Sequence, residues 1–173
     1  NQKAKELLKK ILFSKETPEA SLLLAEILRE ENNENSLREA IRIIKEFLKN
    51  NSQTSLQEDA NRLLIELYIA SKDFEKAKNI SDSMRALDPT SILNLVDAAR
   101  ISKFYGKKEN AISLLKDANG YINDYSSFKQ LLAVANEFYS LDDFENAANI
   151  YEKIANKDSD SFLTRRLVIS YYR

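Results

Sequence analysis

The sequence has no cysteine and no histidine, and only two glycines and two prolines among its 173 residues. Without cysteine and histidine the chain cannot build a thiolate or imidazole zinc site, a cysteine nucleophile, a Ser-His-Asp triad or a disulfide bond. Sandwich and α/β folds need more turn residues than so few glycines and prolines supply. The composition therefore predicts helices joined by short connections, and it argues against the commonest kinds of catalytic site.

A strong charge of one sign and a long apolar run are missing as well. Lysine and arginine number 26 and aspartate and glutamate 27, for a formal net charge of −1. This balance offers no overall attraction to nucleic acid or to an anionic membrane. No apolar run approaches the roughly 18 residues of a membrane-spanning helix. With 43% hydrophobic and 31% charged residues, we expect a folded, soluble chain without nucleic-acid binding or membrane insertion, and the cytoplasm is the favoured compartment.

An alanine recurs about every 34 to 37 residues, an interval typical of helix-pair repeats. Apolar side chains follow most of these alanines at spacings of four and seven, as Leu115 and Ala118 follow Ala111. Those spacings put three side chains on one face of a helix. Each set predicts a buried stripe, with the alanine where a neighbouring helix approaches closely. The alanines are Ala4, Ala40, Ala77, Ala111 and Ala147.

A second apolar stripe precedes the later alanines at a constant distance, at residues 64–65, 98–99 and 134–135. Residues 24–25 take that place in an earlier repeat, displaced by about three residues, and we attribute the displacement to a longer turn at residues 31–35. Two stripes per repeat predict a pair of helices. Because one pair cannot bury both of its faces, each pair stacks on the next. An ordinary helical bundle is the alternative, and the constant register argues against it.

Local signals predict where these helices begin and end. Thr17, Ser55, Asp73 and Asp143 have the residue type and position of N-caps, and residues 88–89, Asp-Pro, are typical of a helix end. About ten helices are predicted, at residues 2–13, 18–31, 36–50, 58–71, 74–87, 92–105, 108–120, 128–141, 144–157 and 162–172.

The helical stretch at residues 61–68, the Asp-Phe-Glu-Lys-Ala run at 73–77 and the Leu-Asp-Pro ending at 87–89 resemble the tetratricopeptide consensus closely. Residues 131–154 are similar to it as well, with Phe-Tyr at 138–139. The other repeats match more loosely, so that the resemblance covers essentially the whole chain. It implies an all-α fold, a right-handed α-solenoid of stacked antiparallel helix pairs.

The resemblance also implies how the chain is organised. We expect one tetratricopeptide-like domain over residues 1–173, with repeats at residues 18–57, 58–91, 92–127 and 128–161 and partial repeats at 1–17 and 162–173. Because the register begins and ends within a repeat, we expect a segment of a longer protein. Its open ends could associate with a second copy.

In tetratricopeptide proteins the first helix of each pair lines a concave face, so the resemblance implies that non-core positions of these helices face a partner. Acidic side chains dominate the earlier first helices, whereas basic and apolar ones are interleaved in the later ones. This mixture suits an extended peptide or a helix of a partner protein. Ordinary solvated helix faces are the alternative. The predicted partner-binding residues are Arg62, Glu66, Val96, Arg100, Lys103, Phe104, Lys129, Leu132, Asn136, Tyr139 and Arg166.

The family's best-known pocket, a clamp of Lys, Arg and Asn for a C-terminal carboxylate, is not predicted, because Leu63 and Glu66 occupy its positions. Acidic clusters at residues 142–143 and 158–160 have the positions of helix caps rather than of calcium ligands. We therefore predict a non-catalytic protein-interaction scaffold without cofactor or metal. Two alternatives stay open: a substrate-recruiting arm of a larger enzyme or of a secretion or assembly machine, and a self-associating structural spacer.

Overall fold

The computed structural model of the chain describes residues 2–14, 18–50 and 56–157. Every regular element in these ranges is an α-helix, which confirms the all-α prediction. The largest difference in a boundary is at α3, which begins at Glu34 instead of residue 36, and the predicted helix at 162–172 lies outside the described residues. The helices are α1 Gln2–Ser14, α2 Pro18–Glu31, α3 Glu34–Asn50, α4 Gln57–Ala70, α5 Phe74–Leu87, α6 Ile92–Phe104, α7 Lys108–Gly120, α8 Phe128–Ser140 and α9 Phe144–Lys157.

Two units, Asn1–Ser81 (unit 1) and Asp82–Arg173 (unit 2), divide the chain. In unit 1, α2 packs against α3, and both contact α4. In unit 2, α6 packs against α7 and α8 against α9, while α8 also contacts both α6 and α7. Within each unit the first helix of one pair, α2 or α6, therefore contacts the first helix of the next pair, α4 or α8. This is the packing expected of stacked helix pairs. The positions of the repeat boundaries in the sequence stay a prediction.

Most of the alanine ladder lies in the cores of the two units. In unit 2, Ala111 and Ala147 pack with Phe138 in one cluster of buried side chains. Ala4 is exposed, so the prediction of a buried alanine is wrong at this position. Among the described helices α1 contacts only α2, and nothing in the described chain covers Ala4. Four alanines are at most 1% exposed, namely Ala40, Ala77, Ala111 and Ala147.

The extra residues before Ala40 form helix and do not lengthen the turn, contrary to the prediction. The turn between α2 and α3 contains only residues 32–33, and α3 begins six positions before Ala40, at Glu34. Asn33 makes this early start possible, because its Oδ1 accepts the backbone N–H of Ser36 at 3.0 Å. The insertion is therefore accommodated as about one additional turn of α3.

Each first helix that the structure describes is followed, within two residues, by a residue in the left-handed conformation. The φ angle is 47° at Asn32, 63° at Lys72, 71° at Gly106 and 62° at Asp142. After the last three of these residues, the next backbone N–H bonds to the carbonyl oxygen five residues earlier, at 2.8 to 3.0 Å. This bond satisfies a carbonyl that would otherwise have no partner at the helix end. The last three of these turns thus share one hydrogen-bonding pattern, although only one of the three contains glycine.

The replacement Gly106→Ala is expected to lower the free energy of unfolding by about 1–2 kcal/mol, because a Cβ is strained at positive φ. The strain is local, since the added Cβ would meet no atom within 4 Å. The matched opposite change, Lys72→Gly, is expected to raise the free energy of unfolding by about 0.5–1 kcal/mol. Urea denaturation followed by circular dichroism measures both, and an unchanged midpoint for Gly106→Ala would contradict the argument.

Asp143 and Asp73 cap α9 and α5, as predicted from the sequence. Oδ1 of Asp143 accepts the backbone N–H of Asn146 at 3.3 Å. The Asp73 carboxylate accepts hydrogen bonds from the ammonium and from the backbone N–H of Lys76. The ammonium bond is the largest of the influences that lower the pKa of the Asp73 carboxyl. Both caps satisfy N–H groups that have no partner within the helix.

Other helix starts depend on caps that the sequence did not reveal. Ser91 caps α6, and Ser127 caps α8 in a reciprocal arrangement with Gln130, whose side chain accepts the Ser127 N–H at 2.7 Å. Two predicted caps, Thr17 and Ser55, lie outside the described residues. The serine caps were missed because the polar connections before α6 and α8 contain several residues of suitable type.

Candidate functional site

In unit 1 the predicted partner-binding residues Arg62 and Glu66 form ion pairs within the fold. Arg62 is 6% exposed and pairs with Glu58, one turn earlier on α4. Glu66 is half-buried and pairs with Arg29 of α2, so that this pair joins two first helices. The prediction that Arg62 projects from the surface is wrong, because packing of α4 against α2 and α3 buries its long side chain.

Val96 was also predicted to face a partner, and this prediction is wrong. It is 1% exposed and belongs to the core of unit 2, together with Ile92 and Leu95 of the same helix. Because α8 packs against α6, the side of α6 that carries Val96 is covered. Leu132 is half-buried and packs against the same core from α8. Val96 follows Ile92 by four positions and precedes Ala99 by three, so these side chains lie on one buried face of α6.

Arg100 lies between two carboxylates at the contact of α6 with α8. Its Nε donates to Oε1 of Glu137 at 2.5 Å, and its Nη1 is 3.6 Å from Oδ1 of Asp97. Asp97 is 2% exposed, and a buried carboxylate needs such a cation. The Arg100 charge therefore compensates acidic groups of the fold and holds two first helices together. Its removal would leave the carboxylates of Asp97 and Glu137 without this partner.

The side chain of Asn136 is oriented by a buried tyrosine. The O–H of Tyr151 donates to Oδ1 of Asn136 at 2.6 Å, and Tyr151 is 1% exposed. Asn136 itself is exposed on α8. Because its oxygen accepts the hydrogen bond from Tyr151, the Asn136 amide nitrogen has two N–H groups that can donate to an acceptor on a bound partner. A peptide carbonyl or a carboxylate is the kind of group that this amide would bind.

Two aromatic side chains and two lysines complete the accessible part of the predicted site. Phe104 is 48% exposed and Tyr139 41% exposed. Lys103 is half-buried and Lys129 is exposed. They lie on α6 and α8, the two first helices that the Arg100 bridge joins. We call the accessible set the first-helix surface, and its members are Lys103, Phe104, Lys129, Leu132, Asn136 and Tyr139.

Two exposed aromatic residues beside this surface were not predicted. Tyr105 is 39% exposed at the end of α6, and Phe144 is 54% exposed at the start of α9. The ring of Phe144 meets that of Tyr139 edge to face, with 5.2 Å between centroids. The signal in the sequence was an aromatic residue at the turn, where helical periodicity no longer applies. Among the aromatic side chains whose exposure the structure describes, all the exposed ones belong to unit 2.

The pKa shifts of unit 1 have a structural cause. Burial raises the pKa of the Tyr68 phenol, although the nearby Lys76 ammonium acts in the opposite direction. The hydrogen bond from Lys76 lowers the pKa of Asp73, and the same bond raises the pKa of Lys76. The Lys76 ammonium lies 5.5 Å from the centroid of the Tyr68 ring. The shifts of Asp73 and Lys76 therefore follow from the helix cap at the start of α5, and that of Tyr68 follows from burial.

Arg166 of the predicted site lies outside the described residues. Within the ranges that the structure describes, no group of three or more acidic residues is arranged to hold a metal ion. None of the helices described is long and apolar enough to cross a bilayer.

The fold is similar to that of a solved tetratricopeptide protein. The crystal structure of a thermophilic TPR protein from Thermus thermophilus superimposes with a TM-score of 0.71 and 17% sequence identity, over 97% of this chain and 88% of that chain. No family model matches the sequence, and a search of curated proteins found no similar sequence. The structural similarity confirms the tetratricopeptide-like helical-repeat fold predicted from the sequence.

Proposed function

We propose that this chain is a non-catalytic interaction scaffold, which binds a peptide or helix of a partner protein on the first-helix surface of unit 2. The observation that carries the proposal is the exposure of Phe104 and Tyr139, at 48% and 41%. Other large apolar side chains of the same helices, such as Leu95 and Phe138, are buried. Exposed aromatic residues flanked by cations are typical of the anchors of protein interfaces.

The polar groups of this surface suit an extended segment. The amide of Asn136, oriented by Tyr151, can donate to a main-chain carbonyl, while Phe104 and Tyr139 supply apolar contact area. Lys103 and Lys129 add positive charge that can set the direction in which the segment lies. The first-helix surface contains fewer residues than the sequence predicted. The buried residue Val96 and the ion-paired residues Arg62, Glu66 and Arg100 are not part of it.

The test compares the chain with a Phe104→Ala/Tyr139→Ala double variant. Affinity purification from the native source identifies partners, and calorimetry with the purified partner then measures the dissociation constant. We expect the double variant to bind at least about ten-fold more weakly, because truncation of an interface anchor typically costs about 1–2 kcal/mol or more. Arg100 is left unchanged, since its removal would weaken the contact of α6 with α8. A loss of binding could then not be separated from a loss of folding stability.

The matched control is the double variant Tyr121→Ala/Tyr125→Ala. These tyrosines are 45% and 97% exposed, and they lie at the connection between α7 and α8. Its affinity for the partner should equal that of the unchanged chain. The proposed surface is wrong if this control loses binding while the Phe104→Ala/Tyr139→Ala variant retains it. Capture of no partner, together with concentration-dependent oligomers, would favour the structural spacer instead.

A further inference from the structure

The turn between α6 and α7 exposes two adjacent aromatic side chains between two lysines. Phe104 and Tyr105 are 48% and 39% exposed, and Lys103 and Lys107 stand on either side of them in the chain. Neither lysine forms an ion pair with another residue that the structure describes. At the corresponding turn of unit 1, the residue equivalent to Lys107 is Asp73, which is paired with Lys76.

The turn between α8 and α9 lies next to this one. Nζ of Lys108 is 3.2 Å from Oδ2 of Asp142. This ion pair joins the start of α7 to the turn between α8 and α9. Tyr139 and Phe144 are in ring contact there. The two turns therefore place four partly exposed rings along one edge of unit 2. We call this set, Phe104, Tyr105, Tyr139 and Phe144, the aromatic edge.

Lys107 is an unfavourable residue for the position that it occupies. It is the N-cap residue of α7 and makes no side-chain cap hydrogen bond. The equivalent residues of the other described turns, Asn33, Asp73 and Asp143, each accept a backbone N–H. An aspartate at this position would stabilise α7 through the cap and through its charge. A residue that is unfavourable for helix capping and lies beside exposed aromatic rings is typical of a functional surface.

We propose that the aromatic edge, with Lys103 and Lys107, binds a short acidic segment of a partner protein that also carries aromatic or long aliphatic side chains. The carboxylates of the segment would face the two lysines, and its apolar side chains would pack on the rings. A basic segment would meet the same lysines with repulsion. The inference rests on the proposed function, since Phe104 and Tyr139 belong to both surfaces, and it adds the chemical class of the partner.

Panning of a random twelve-residue peptide library on the whole chain tests the chemistry of the partner. We expect the selected peptides to be rich in Asp and Glu and to contain Phe, Trp or Leu. Their affinity, measured by fluorescence anisotropy, should fall when the salt concentration is raised from about 50 to about 300 mM. Selection of basic peptides would overturn this inference and leave the proposed function standing. Failure to select any peptide would overturn both.

Two variants test the place of binding. Lys107→Asp should bind a selected acidic peptide at least about ten-fold more weakly while its thermal midpoint rises, because the new cap stabilises α7. The matched control Lys116→Asp changes the same charge at an exposed position within α7 and should bind as the unchanged chain does. Tyr105→Ala should also weaken binding. Unchanged affinity in both Lys107→Asp and Tyr105→Ala would overturn the inference, as would phosphatidylserine vesicles that bind and displace the peptide.

Discussion

Replacement of Asn94 by aspartate is expected to lower the free energy of unfolding at pH 7 by about 3 kcal/mol or more. The Asn94 side chain is 4% exposed, and its Nδ2 donates to the carbonyl oxygens of Met84 at 3.1 Å and Asp88 at 3.2 Å. These carbonyls belong to the end of α5 and the residue that follows it. A carboxylate in the same place would bring a buried negative charge against two acceptors, with no proton to donate to either.

The loss of stability should depend on pH in a predictable direction. Burial and the two carbonyls would raise the pKa of the new carboxyl in the folded chain above the unfolded value of about 3.9. The stability of Asn94→Asp relative to the unchanged chain is then greatest below about pH 4, and it is lost as pH rises through the raised folded pKa. Denaturant titrations at pH 4 and pH 7 measure both differences. Asn94→Ala, which should lose about 1–3 kcal/mol at either pH, is the control. A deficit of Asn94→Asp that did not change with pH would contradict the argument.

Phe138→Ala is expected to lower the free energy of unfolding by about 3–5 kcal/mol. The Phe138 side chain is completely buried, and it packs in the core of unit 2 with Leu115, Leu131 and Val134. Truncation would remove apolar contact area and leave a cavity that neighbouring helices cannot fill without moving. Denaturation followed by circular dichroism would show the loss as a lower midpoint.

Phe104→Ala is the control for this prediction, because it removes the same atoms from a residue that is 48% exposed. Its expected cost is about 1 kcal/mol or less, since half of the ring already contacts water. The two phenylalanines thus separate a folding role from a binding role. Equal losses of stability in the two variants would contradict both the assignment of Phe138 to the core and the assignment of Phe104 to the surface.

The helices and their order were predictable from the sequence because helical periodicity is a local property. Apolar residues recur at spacings of three and four within each helix. One alanine recurs in every repeat, and it marks the place where two helices approach closely. Local signals were less complete at the turns. Asp73 and Asp143 were recognised as caps, whereas the early start of α3 at Asn33 was not. A cap depends on the backbone conformation that precedes the helix, and residue type reports that conformation only in part.

The candidate site was predictable only in part, because periodicity shows which side of a helix is apolar and does not show what covers the polar side. Lys103, Phe104, Asn136 and Tyr139 reach the surface of unit 2. Val96 lies in the core, although the sequence placed it on the same face. Helical spacing already puts Val96 on the apolar face of α6, four positions after Ile92. The burial of Arg62, by contrast, depends on the packing of α4 against α2 and α3, which residues distant in sequence determine.

The sequence alone predicts a stack of helix pairs and their approximate ends, and it lacks the residues needed for thiol, imidazole or disulfide chemistry. Tertiary structure decided which charges remain for a partner. Arg100 compensates Glu137 on the next first helix, whereas Lys107 has no such pairing with a described residue. A helix and its apolar face depend on residues that are a few positions apart in the sequence. The exposure and the ion pairing of surface side chains depend instead on residues that only tertiary packing brings into contact.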